Sequence, residues 1–132
     1  MRIMVDTNVL ISALLFPRSQ VAMVLADIIS RHVLVLSSFV VDELKAVVAR
    51  KFPTKSAAID VLLDTMRYEY IPTPRHMDEK LFSIRDEKDY PVLYTAIVSD
   101  VDLLVTGDKD FANVNVDHPT IMTPAQYAEH HM

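Results

Sequence analysis

Residues 33–48 read Val-Leu-Val-Leu-Ser-Ser-Phe-Val-Val-Asp-Glu-Leu-Lys-Ala-Val-Val. The first four form a short apolar run rich in β-branched residues, the pattern of a buried strand. Ser37-Ser38 then offers hydroxyls suited to a helix start, and Val40, Leu44, Val47 and Val48 recur at helical spacing. The same alternation holds on either side. Ile3–Val5, Tyr70–Ile71, Leu103–Val105 and Thr120–Met122 read as further strands. Val21, Val24, Leu25, Ile28 and Ile29 form a helical stripe with Ser19 as its N-cap; Ala58, Val61, Leu62 and Met66 form another, opened by Thr54 after Pro53. Val92, Leu93, Ala96 and Ile97 form a fourth stripe with Pro91 in its first turn, and Thr123-Pro124 opens a short last helix. Strands alternating with helices predict an α/β fold, with a parallel sheet covered on both faces.

The length, 132 residues, predicts a single domain spanning 1–132. The absence of cysteine excludes a disulfide scaffold, a zinc ribbon and a thiol nucleophile. A single glycine, Gly107, excludes a Gly-rich phosphate loop and a dinucleotide fingerprint. Apolar runs such as Val9–Phe16 are too short to span a bilayer, and Met1–Val5 is too short for a signal peptide. The expectation is a cytoplasmic protein without a membrane segment. The net charge of −5 argues against a broad basic nucleic-acid face. Of the 18 acids, 13 are Asp, a short carboxylate suited both to turns and to hard metal ions.

In parallel sheets, function gathers at the carboxyl ends of the strands. Every informative terminus here delivers an acid. The first strand ends at Asp6, and Leu103–Val105 runs through Thr106-Gly107 to Asp108. The helix after Val33–Leu36 carries Asp42 and Glu43, and the helix of Val92 starts at Asp89. With Val40 at zero and about 100° per residue, Leu44 falls at about 40°, Glu43 at about 300° and Asp42 at about 200°. Glu43 therefore borders the buried face, whereas Asp42 points to solvent. The same count places Asp89 at the middle of the buried face of its helix, in the first turn, where the helix dipole favours a carboxylate.

Converging carboxylates stay ionised together only around a cation or by sharing protons. The five histidines fall at expected surface loops and at the end of the sequence, away from these acids. An all-oxygen site favours Mg²⁺ or Mn²⁺ and points to metal-assisted phosphodiester hydrolysis. The competing reading at this stage is that Asp6, Asp89 and Asp108 only cap turns and helices.

Four segments, in order, resemble the motifs of PIN-domain proteins. They are Asp6-Thr7-Asn8-Val9-Leu10-Ile11-Ser12-Ala13, Val41-Asp42-Glu43-Leu44, Arg85-Asp86-Glu87-Lys88-Asp89-Tyr90-Pro91-Val92-Leu93, and Val105-Thr106-Gly107-Asp108-Lys109-Asp110-Phe111. The fourth has the form common among bacterial toxin-like members, and Thr123-Pro124-Ala125-Gln126-Tyr127 resembles the closing segment. The resemblance implies a three-layer α/β/α sandwich and a Mg²⁺- or Mn²⁺-dependent ribonuclease. Such proteins are often the toxin of a type II toxin–antitoxin pair, so an RNA substrate and a small antitoxin protein are the implied partners. Homodimers are common among similar proteins; the Val21–Ile29 helix is assigned to the core, with an interface as the alternative.

The family's acids map onto Asp6, Glu43, Asp89 and Asp108, with Asp86 and Asp110 as additional candidates. In that mapping Asp6, Asp89 and Asp108 hold the metal, and Glu43 binds through water or orients the attacking water. Thr7, Asn8 and Thr106 would fix carboxylate rotamers, with helix capping as the equal alternative. Relatives often carry more acids around the third motif; Lys88 here places a positive charge beside Asp89. Lys109, Lys88 and Arg18 are the cations expected near RNA, while Arg50-Lys51 with Lys55 reads as a helix end. Phe16 and Phe111 are assigned to core packing or loop anchoring, with contact to bases or a partner as the alternative. An aspartyl-phosphate phosphatase would want a second Asp at the position of Asn8, and a receiver domain would want paired acids after the first strand. The remaining alternative is a catalytically weak PIN-like module that binds RNA or protein.

Overall fold

The computed structural model describes all residues, 1–132. Five parallel strands form one sheet: β1 (Arg2–Val5), β2 (Val33–Ser37), β3 (Glu69–Ile71), β4 (Leu103–Val105) and β5 (Thr120–Met122), in the order β3-β2-β1-β4-β5. Six helices accompany it: α1 (Thr7–Leu15), α2 (Gln20–Arg31), α3 (Ser38–Lys51), α4 (Ser56–Thr65), α5 (Tyr90–Val98) and α6 (Pro124–His131). Consecutive residues in the three central strands are buried, Ile3-Met4-Val5, Leu34-Val35-Leu36 and Leu103-Leu104-Val105. Alternate side chains of a strand point to opposite faces, so helices must cover both. The result is the three-layer α/β/α arrangement. No single helix is long and apolar enough to cross a membrane.

Side-chain capping fixes where α1, α2, α3 and α6 begin. Side chains of Asp6, Ser19, Ser37 and Thr123 accept hydrogen bonds from Val9, Ala22, Val40 and Gln126 backbone N–H groups, satisfying donors that a helix start leaves open. The terminal helix is clasped to α2. The buried Tyr127 hydroxyl donates to Asp27 at 2.7 Å, and Arg31 holds the same carboxylate through Nε and Nη2 at 2.8 and 2.9 Å. At the amino ends of the strands, the Arg2 guanidinium donates to Glu69 at 2.9 Å and to the Ser99 carbonyl at 2.6 Å, tying β1 to edge strand β3 and to the turn before β4.

The predicted strands and all five predicted helices are present, and Val24, Leu25 and Ile28 of α2 lie in the core. Four details differ. Residues 7–15 form a helix where the sequence offered only an apolar run; Thr7, Val9, Leu10 and Ala13 are all buried, so no clean polar stripe marks it. In α4 the inward pair is Ile59 and Leu63, while Val61 is 61 % exposed; two apolar stripes interleave there and tertiary packing selects the other one. Phe16 is 63 % exposed rather than packed, because it ends α1 at the turn into α2. His32 and His131 are half-buried beside Tyr127, with ring centroids at 6.4 and 5.2 Å, rather than lying free at the surface.

The α4 phase is checked by paired truncations. Leu63→Ala is expected to cost about 2–4 kcal/mol by emptying a core site, and Val61→Ala to stay within about 0.5 kcal/mol. Chemical denaturation of both variants measures this, and equal losses would contradict the assigned face.

Candidate active site

The strand order reverses between β1 and β4, because the chain builds leftward from β1 to β3 and then returns to β1's other side. Such a switch point opens a crevice above the carboxyl ends of the two strands. Register pairs Val5 with Val105, so the residues that follow, Asp6 and Thr106, emerge side by side. Both are buried. One Asp6 oxygen accepts from the Val9 N–H at 3.0 Å, and the other accepts from the Thr106 hydroxyl. That same hydroxyl oxygen accepts the Asp108 N–H at 3.1 Å, and Asp108 Oδ1 accepts the Asp110 N–H at 2.9 Å. A chain of hydrogen bonds thus aligns the segment after β4 against the end of β1.

Two further segments bring acids to this crevice. Glu43, half-buried on α3, is close enough for its charge to act on Asp6; Asp42 beside it is exposed. Before α5, the turn Glu87–Asp89 is capped by Asp86, whose carboxylate accepts the Lys88 N–H at 3.0 Å. Asp89 Oδ2 is buried and has no hydrogen-bond donor. Carboxylate oxygens of Asp86, Asp89 and Asp110 lie within 4.8 Å of one another. The tightest trio is therefore Asp86, Asp89 and Asp110, and Asp108 links it to Asp6.

Electrostatics follow from this crowding. Burial pushes the Asp6 carboxyl above its ordinary value; the Thr106 hydroxyl and Val9 N–H oppose that, and the charges of Asp108 and Glu43 add to it. Asp89 is raised to about 7, first by burial, then by the close approach and repulsion of Asp108, with Asp86 and Asp110 adding to it.

The other expected residues fall as follows. Thr7 is buried with an unpartnered hydroxyl, and Asn8 is exposed at the first turn of α1. Arg18, Lys88 and Lys109 are exposed. Arg85, at 4.0 Å from Asp110, adds a cation that the sequence reading did not single out. A cleft of about 630 Å³ beside Asp89, built largely from residues 75–91, has no forerunner in the sequence pattern. No local spacing signals it, because most of that segment lacks regular structure.

The raised Asp89 value makes metal-free stability depend on pH. A carboxyl with a folded-state value near 7 and an ordinary value of 3.8 binds its proton more tightly when folded. The stability this contributes is fully present below the unfolded value and is lost as pH rises through the folded one. The metal-free protein is thus expected to melt at lower temperature as pH rises from about 5 to about 8, with Asp89→Asn flattening the dependence. Calorimetry across that range measures it; identical pH dependence in both proteins would contradict the assignment.

A family profile described as PIN domain matches residues 2–110. Among solved structures, the chain is similar to the crystal structure of VapBC2 from Rickettsia felis bound to a DNA fragment from their promoter, with 20 % identity over 92 % of this chain and 97 % of that one and a TM-score of 0.68. No curated protein matches the sequence. The profile spans most of the chain, from β1 through the segment that carries Asp108 and Asp110, and so this chain belongs to the PIN-domain family.

Proposed function

We propose that the chain, acting as one PIN-like unit over 1–132, is an endoribonuclease that depends on Mg²⁺ or Mn²⁺. We further propose that it is the toxin of a type II toxin–antitoxin pair. Family membership supports a nuclease. The likeness to VapBC2, a toxin–antitoxin complex, supports a small antitoxin partner. The same reading makes it a cytoplasmic homodimer that acts on RNA.

The observation that carries the proposal is the buried, donorless Asp89 Oδ2 among carboxylates from separate segments. A structural cap would have its oxygens satisfied; here an acceptor faces other acids. With no sulfur and no histidine among these donors, the set fits a hard dication that takes oxygen ligands. When bound, such an ion polarises a phosphoryl oxygen and supplies an activated water. Asp6, Asp89 and Asp108 would hold it, with Asp86 and Asp110 as further ligands. Glu43, on α3, would bind the ion through water or orient the attacking water. Thr106 locks the Asp6 rotamer, and Thr7 and Asn8 act beside it. Lys109, Lys88 and Arg18 offset the acidic surface for an approaching phosphate backbone.

Asp6→Asn is expected to lower Mn²⁺-dependent cleavage of an RNA pool by at least about 100-fold, the order lost with a preorganised electrostatic group. Circular dichroism should remain that of the parent, since Asn retains the capping oxygen. Cleavage by Asp6→Asn at the parent rate would overturn the assignment. Calorimetric metal binding by the parent without cleavage of any RNA would favour the binding-module reading instead.

A further inference from the structure

The cleft beside Asp89 has its own chemistry. Its volume, about 630 Å³, lies in the range of roughly 300–1,000 Å³ typical of sites for small ligands. It abuts the candidate active site through the backbone itself: Glu87 and Tyr90 line it, and they are two residues before and one after Asp89.

Its wall is rigid. Phe82 stacks on Tyr90 at 4.2 Å between centroids, and Tyr90 on Tyr94 at 5.9 Å. The Tyr90 hydroxyl donates to the Asp78 carbonyl, and the Asp78 N–H donates to the Tyr94 hydroxyl oxygen at 3.1 Å. The irregular segment is thereby pinned to α5. Nearer its start, the Thr73 N–H donates to the Ser38 hydroxyl oxygen at 2.9 Å and the Phe39 N–H donates to the Thr73 hydroxyl oxygen at 3.1 Å, fixing the segment to α3.

The rim carries Arg75, Glu79 and Glu87, a formal excess of negative charge. A phosphate is disfavoured there, but a flat, partly apolar ring with N–H donors on its edge suits it. Sequence-selective RNA proteins take up splayed, unstacked bases in this way. A carboxylate has acceptors only, in a bidentate arrangement. Among the four bases, guanine alone presents two adjacent donors, N1–H and the N2 amino group, on its pairing edge.

Resting on the ribonuclease reading, we propose that this cleft is a specificity subsite that takes a guanine base next to the cleaved phosphodiester, with Glu79 and Glu87 reading its donor edge. Arg75 faces the base or its flanking backbone. A protein segment in the cleft is the competing occupant.

The test uses the full chain with RNA trinucleotides of central G, inosine, A, C or U. Ca²⁺ replaces Mg²⁺, and oligonucleotide integrity is checked by mass spectrometry, so that binding is read separately from turnover. The central-G trinucleotide is expected to bind about tenfold more tightly than the inosine one, which lacks the N2 amino group. It is also expected to shift the Phe82 and Tyr90 ring resonances. The double variant Glu79→Gln/Glu87→Gln, altered only at exposed positions, should fold as the parent does and bind both within about twofold. Equal affinity for all five in the parent, an unchanged preference in the double variant, or no shift at Phe82 and Tyr90 overturns the proposal and leaves the cleft to a protein segment. A parent that prefers G but never cleaves RNA sinks the ribonuclease reading alone; one that cleaves without base preference sinks the subsite alone.

Discussion

The constraint on which the site depends is the repulsion among carboxylates held at one end of a parallel sheet. Burial of Asp6 and the crowding of Asp89 against Asp108, Asp86 and Asp110 both raise the energy of the charged forms. A fold can hold such a group only if its backbone is fixed elsewhere. Here the fixing comes from the buried strand core, the side-chain caps at the starts of α1, α2, α3 and α6, and the clasp of α6 on α2. Rigidity is built from apolar packing and backbone satisfaction, and it is spent on keeping like charges together.

Much of this was legible in the residues. The strands were short, β-branched and bounded by capping residues, so their existence followed from local pattern. The distinction between Glu43 and Asp42 followed from helical rotation alone, and the structure has Glu43 half-buried and Asp42 exposed. That Asp6 and Asp108 should approach one another was only implied by resemblance and by the general rule for strand ends. Their adjacency needs the strand order, and strand order is a long-range property that no window of sequence contains.

What was not legible has identifiable physical causes. α1 escaped because a helix buried on several sides loses the periodicity that reveals it. The α4 face was misassigned because Ala58, Ile59, Val61, Leu62, Leu63 and Met66 offer two overlapping stripes, and only packing against the rest of the core chooses between them. The grouping of Asp86 and Asp110 with Asp89 depends on how the turn before α5 meets the turn after β4. The cleft is set by contacts of Tyr90 and Tyr94 with Asp78, across a segment whose sequence shows no periodic pattern.

The Thr106 hydroxyl serves two neighbours at once, giving its hydrogen to Asp6 and receiving one from the Asp108 backbone. Its proton is therefore committed in a single direction, and both arms of the crevice are referenced to one oxygen atom. A force that draws the Asp6 side chain is passed to the main chain of Asp108 through two bonds rather than through the solvent. The two strand ends are in effect geared together, so the opening between them adjusts as one mechanical unit when it is loaded from either side.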